Sequence, residues 1–176
     1  MRKNIVLTGY MASGKTTIGK IISQMLGMDF LDTDEIIEKQ QNMKISEIFA
    51  RFGEEYFRKL ENEVSKQFAD TQNILIATGG GFVLNPSNIE NLRKNSVIIN
   101  LKTSSEIIKK RMYGAKNTRP LMSEADFSDV LERFNKREPF YANNDICIEL
   151  SLKKNAKEHS EIVICEYKKY LKERRD

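Results

Sequence analysis

The sequence predicts an α/β fold, a parallel sheet covered by helices, and three observations predict it. Short β-branched runs recur: "NIVLT" from Asn4, "NILIAT" from Asn73, "SVIINL" from Ser96 and "DICIEL" from Asp145. Longer stretches of helical periodicity separate them, the alternation expected when parallel strands are joined by helical crossovers. The first run leads through a glycine-bearing loop straight into a helical stretch, "LTGYMASGKTTIG" from Leu7 to Gly19. With 176 residues, 40% of them hydrophobic, and no internal repeat or low-complexity tract, the chain suits one globular domain over 1–176.

Each element has its own local reason. In "TTIGKIISQML", Ile18, Ile21, Ile22, Met25 and Leu26 fall at helical spacing, so one face packs on the sheet, and Gly27 is a C-terminal stop. "MDFLDTD" supplies a short second strand ending at Asp32, and "ISEIFARFG" and "EEYFRKLENEVSKQF" follow as consecutive helices separated near Gly53. Thr103 and Glu106 form a capping-box pattern for a helix through Met112. "YGAKNTRPLMSEAD" is polar, holds Gly114 and Pro120, and reads as a mobile loop. "FSDVLERFNKREPFY" resumes helical spacing until Pro139, and "AKEHSEIVICEYKKYLKERR" closes the chain as a helix.

Composition narrows the function classes. The N-terminal "MRKNIVLTG" has too few consecutive apolar residues for a signal-peptide core, and no apolar run approaches a membrane span, so a soluble, cytoplasmic protein without a membrane partner is expected. Cys147 and Cys165 form no CxxC pair and His159 is the only histidine, which argues against a zinc site or disulfide framework. Both cysteines read as small apolar residues. The net charge of +4, with "KKR" at Lys109 to Arg111 and "KERR" at Lys172 to Arg175, suits an anionic partner or a solvated face, the second being the plainer reading of "KERR", and a pI near 9 is the sole hint of a nucleic-acid partner, which is not expected.

The glycine loop carries the chemistry. Gly9, Gly14, Lys15 and Thr16 match G-x-x-x-x-G-K-[ST] between a predicted strand and a predicted helix, the context that phosphate-binding motif requires. Backbone amides wrap a polyphosphate there and the helix N-terminus adds partial positive charge. Lys15 reaches the β and γ phosphates, and Thr16 offers a hydroxyl to Mg²⁺. Ala12, Ser13, Gly14, Lys15, Thr16 and Thr17 are therefore candidate nucleotide-binding residues. No G-x-G-x-x-G is present, which excludes the dinucleotide-binding alternative. The nearest guanine-reading match, "NKRE" at Asn135, sits within helical periodicity and ends in Glu138, against a switch GTPase. "NILIAT" ends in Gly79, Gly80 and Gly81 without the acid that many phosphate-loop strands supply to magnesium. "LDTD" is then the natural source, through Asp32 and Asp34, although either aspartate is also suited to cap the helix beginning "EIIEKQ".

In order along the chain, "GYMASGKTT", "LDTD", "GEEYFRKLE" with Arg58, "ATGGG", and "RPLM" with Arg119 followed by "REPFY" with Arg137 resemble the shikimate kinases over nearly the whole length. The resemblance implies ATP-dependent phosphorylation of the shikimate 3-hydroxyl, on the way to chorismate and the aromatic amino acids. It also implies a phosphate-loop three-layer sandwich with a five-stranded parallel sheet in order 2-3-1-4-5. Acceptor-binding helices over about 34–68 and a mobile lid at about 112–126 belong to the same pattern.

Shikimate bears a carboxylate and three hydroxyls, so its site needs guanidinium groups for the acid and acceptors for the alcohols. Arg58 and Arg137 fit the first need. Asp34 matches the family residue that binds the reacting diol and orients or deprotonates its hydroxyl. Asp32 matches the one near Mg²⁺, and Gly79, Gly80 and Gly81 match the loop that approaches shikimate, with Gly80 the closest donor. Arg119 matches a lid residue on the ATP phosphates, Arg111 one over adenine, and Asn155 the C-terminal adenine contact.

Each role has a plainer rival: Arg58 can pair with Glu54 or Glu61 on one helix face, and Phe49 and Phe57, which resemble apolar walls of the shikimate pocket, also suit the core. Ala12 stands where related loops often carry glycine, so an ordinary backbone conformation is expected there. ATP and shikimate are the expected partners of a monomer with Mg²⁺. A gluconate or other small-metabolite kinase of the same group, and a nucleotide-dependent nucleic-acid module, are the rival readings.

Overall fold

The computed structural model describes residues 3–114 and 127–174. Its centre is β1 (Asn4–Thr8), flanked in a five-stranded sheet by β3 (Ile74–Ala77) and β4 (Ser96–Lys102), with β2 (Asp29–Asp32) and β5 (Ile146–Glu149) at the edges. Every pairing is parallel and the order is β2-β3-β1-β4-β5, as the family resemblance implies.

The three central strands read as unbroken apolar runs because both their faces are buried, and successive residues serve opposite layers. Ile5, Leu7, Val97 and Ile99 pack on one side against Ile18 and Ile22 of α1 (Lys15–Leu26) and Val163 and Tyr167 of α7 (Ala156–Glu173). Val6, Ile76 and Ile98 pack on the other against Ile89 and Leu92 of α4 (Pro86–Arg93) and Val130 of α6 (Phe127–Arg137). Each such side chain contributes about 1.5–3 kcal/mol by leaving water. A smaller core of Ile37, Ile48, Phe57, Leu60 and Val64 joins α2 (Thr33–Gln41) to α3 (Ile45–Gln67). At Gly53 (φ 78°, ψ 176°) α3 breaks its helical path, where the sequence places a boundary between two helices.

One local expectation is corrected, one element is added and the cysteines find their place. The helix α5 (Ser105–Gly114) is capped one residue later than predicted: the Ser104 hydroxyl accepts from Ile107 N–H at 3.3 Å, while Thr103 is buried with its hydroxyl unpartnered. The sequence reading contains no element at α4, yet Asn85 accepts from Ser87 N–H at 3.2 Å and Pro86 occupies the first turn, a regular N-terminal signature. Cys147 and Cys165, read as small apolar residues, are free and exposed, on an edge strand and on the outer side of α7. Among the described residues no helix is long and apolar enough to cross a membrane.

The strand register decides where chemistry collects. Leu7 and Asp32 both pair with Ala77, so β1, β2 and β3 end together. The crevice opens beside β1, where the strand order reverses, the position at which open α/β sheets bind ligands.

Candidate active site

Between β1 and α1 the chain makes a turn in which Ser13 N–H donates to Tyr10 O at 3.1 Å. Gly14 takes φ 92° there. Ala12 also stands in the left-handed region, at φ 60°, contrary to the ordinary conformation expected of it. Its Cβ crowds the backbone in that conformation, at a cost of about 1–2 kcal/mol. Lys15 is buried and its Nζ donates to Gly9 O at 2.7 Å and Tyr10 O at 3.0 Å, which folds the cation over the mouth of the loop. No acidic residue lies in the first turn of α1, so the positive end of the helix faces a cavity of about 480 Å³. Thr16, Thr17, Asp32, Asp34, Gly80 and Arg111 are among its walls.

The two aspartates have different surroundings. Asp32 uses one oxygen as the N-cap of α2, accepting from Asp34 N–H at 3.0 Å, and the other to accept from Thr16 Oγ1 at 2.9 Å. The capping role and the loop-facing role therefore fall on one residue. A hydroxyl beside a carboxylate is a hard-oxygen pair suited to Mg²⁺, which takes one or two protein oxygens and completes its shell from phosphates and water. No cluster of three or more His, Cys, Asp or Glu exists among the described residues, and an ion held in this manner needs none.

Asp34 lines the same cavity and turns its Oδ1 against Gly79. Its Oδ1 is buried and unpartnered, and a Cβ on Gly79 would overlap it. Burial lifts its carboxyl to about 6, the Asp32 charge pushes the same way, and Lys15 opposes. Across Gly79 stands Glu61, with its side chain fully buried and Oε1 also unpartnered. Burial lifts Glu61 to about 7 in spite of the adjacent Arg58 guanidinium. Arg58 donates to Glu61 at 2.7 Å and to Glu54 at 2.6 Å, so the plain helix-face pairing is present in full. The guanidinium also closes on Gly81, where a Cβ would sit 2.5 Å from Nη2. Two glycines of the triplet thus clear space for Asp34 and Arg58. Arg137 closes this side: its charge lowers the proton affinity of Glu61, Tyr10 and Tyr141.

A family model described as shikimate kinase matches residues 11–167. This chain belongs to the shikimate kinase family. The shikimate kinase of Caldanaerobacter subterraneus subsp. tengcongensis is 48% identical over 166 residues, 94% of this chain and 96% of that one. Shikimate kinase from Acinetobacter baumannii, solved in complex with shikimate, superposes with a TM-score of 0.82 at 32% identity, covering 92% of this chain and 90% of that one. A gluconokinase from Sinorhizobium meliloti, at 14% identity and TM-score 0.62 over 96% of this chain and 93% of that one, shares the fold alone.

The remaining positions implied by the shikimate kinase family fall unevenly. Arg111 lies across the phosphate loop, its Nη1 donating to Ala12 O at 2.7 Å. Ser13 is fully buried and supports Lys15 Nζ through its hydroxyl at 3.3 Å. Asn155 spends its side chain on the capping box of α7, accepting from Glu158 N–H, and the neighbouring Ala156 and His159 line the cavity instead. Arg119 and lid positions 115–126 lie outside the described residues. Two residues escaped the sequence reading as parts of this shikimate kinase family site. Thr33 accepts from Gly79 N–H at 2.8 Å and ties the two loops together, and in the sequence Glu61 shows only as a helix-face partner of Arg58. The Thr33 signal lies inside "LDTD"; nothing local marks Glu61 as buried.

Proposed function

We propose that this member of the shikimate kinase family transfers the γ-phosphoryl group of ATP to the 3-hydroxyl of shikimate, an alcohol acceptor, giving ADP and shikimate 3-phosphate. One observation carries the reading: Asp34 presents a buried, unpartnered carboxylate oxygen between the phosphate loop and the Arg58, Glu61 and glycine cluster. The triphosphate lies in the loop against the amides of Ala12 to Thr17, with Lys15 beside it, Arg111 over the adenine and Arg119 entering from the lid. Arg58 and Arg137 receive the shikimate carboxylate. Glu54 is 59% exposed, so its pairing with Arg58 is a rim contact that a substrate carboxylate replaces at little cost, while buried Glu61 keeps its hold.

Asp34 accepts a hydrogen bond from the 3-hydroxyl and takes its proton as the new O–P bond forms and the bond to the ADP oxygen breaks. Held by Thr16 and Asp32, Mg²⁺ would neutralise charge on the phosphate oxygens. Burial of Lys15 and of the Asp34 oxygen makes their electrostatic contacts stronger than in bulk solvent.

ADP release measured with shikimate, gluconate, nucleoside monophosphates and no acceptor tests the proposal. Turnover with shikimate alone is expected, and Lys15→Ala should abolish it while the far-UV circular dichroism stays native. Turnover with gluconate and none with shikimate would overturn the reading.

A further inference from the structure

Gly79 to Phe82 form a turn closed by Phe82 N–H donating to Gly79 O at 3.2 Å. Its central peptide joins two glycines, Gly80 and Gly81, and Gly81 at φ −100°, ψ −2° has the geometry of a type I turn. Rotating that peptide by half a turn produces a type II turn, which requires positive φ at its second central residue. Glycine adopts positive φ without steric cost, so the residues of this turn allow both states. The two states point the Gly81 N–H in opposite directions.

Several other polar groups of the loop have partners. Gly79 N–H donates to Thr33, and Gly81 O accepts from Leu84 N–H at 3.0 Å. Gly80 and Gly81 N–H make no hydrogen bond among the described residues. Gly80 O is the acceptor of the buried Tyr141 hydroxyl. In a trans peptide the carbonyl and the next N–H are antiparallel, so this bond turns the Gly81 amide away from Tyr141. Tyr141 itself is fixed, since Asn144 Nδ2 donates to its carbonyl at 2.7 Å. It shares a short 3-10 turn, Glu138–Ala142, with Arg137 at that turn's N-cap.

We propose that Tyr141 is a positioning residue for the acceptor, holding the Gly80–Gly81 peptide in the type I state so that its amide serves shikimate. Burial raises the Tyr141 hydroxyl well above the ordinary tyrosine range, which keeps it a donor throughout the working pH. The proposal rests on the reading that the Gly79–Gly81 loop meets shikimate.

Tyr141→Phe keeps the ring and removes the hydroxyl. The shikimate KM should rise about tenfold, the scale of one hydrogen bond, while the ATP KM stays within about twofold. Incorporating 4-aminophenylalanine at position 141 restores a donor and should restore the shikimate KM. A folded Tyr141→Phe enzyme with unchanged shikimate KM, or with both KM values raised alike, overturns the proposal. If Tyr141→Phe does not fold, Asn144→Ala loosens the same strap and must raise the shikimate KM selectively, or the proposal falls. Arg58→Ala separates the two readings: an unchanged shikimate KM there removes the acceptor site itself. A raised one, with Tyr141→Phe silent, removes only the role of Tyr141.

Discussion

Asp34 and Asp32 stand two residues apart and do different work because of what surrounds each carboxylate. Burial and its neighbour lift Asp34 to about 6, which places a base near the pH at which it must release and accept a proton. The transfer rate should therefore rise with pH as Asp34 ionises and fall in acid below about pH 6. Asp34→Asn should keep ATP binding and lose transfer by roughly 10² to 10⁴ fold. Asp32→Asn keeps the helix cap, since asparagine caps as well as aspartate, yet should raise the Mg²⁺ concentration needed for half-maximal rate. Metal and acceptor titrations of both variants check the division. A shifted Mg²⁺ requirement in Asp34→Asn with normal shikimate binding would reverse it. The motif "LDTD" is legible as an acidic pair in the sequence. Which oxygen caps, which meets Thr16 and which is buried against Gly79 depends on contacts with distant segments.

At the scale of elements, α3 owes its shape to one residue. Gly53 holds φ 78° at the break, and a Cβ added there would meet nothing within 4 Å. Gly53→Ala should thus act through backbone strain alone, lowering stability by about 1–3 kcal/mol in urea titration. A neutral result would mean that the break straightens readily and that α3 tolerates one continuous axis. This boundary was legible because a glycine interrupts an otherwise periodic stretch. The cap of α5 was legible only to within one residue, because "TSSE" offers adjacent hydroxyls and packing against the sheet selects between Thr103 and Ser104.

For the whole molecule, the cluster around Gly79 sets a conflict between stability and function. Asp34 and Glu61 both hold protons more tightly when folded than as free carboxyls near 3.8 and 4.5. Between those values and about 6 and 7 the folded state binds more protons than the unfolded one. Their contribution is therefore fully present in acid and lost as pH rises through the folded values. Urea titrations at pH 5 and pH 8 should show the ligand-free protein losing about 1–2 kcal/mol relative to an Asp34→Asn, Glu61→Gln variant, after allowance for solvent and the Arg58 charge. A wild-type protein that gains stability over this range relative to the variant would refute the assignment. Acceptor binding should narrow the difference, since it gives the Asp34 carboxylate a hydroxyl partner.

The strands, the phosphate loop and the order of the motifs follow from patterns a few residues long, where apolar spacing, glycine and capping residues act through bonds to near neighbours. Family resemblance then supplied the sheet order and the expected acceptor residues. Tertiary structure alone decided the left-handed backbone of Ala12, the burial of Glu61 and the clasp of Tyr141 on Gly80. Those contacts join positions that only the strand order brings together: 46 residues separate Thr33 from Gly79, and 61 separate Tyr141 from Gly80. No local propensity encodes such distances. A carboxylate becomes a poised base here because the sheet closes around it and removes water from one side.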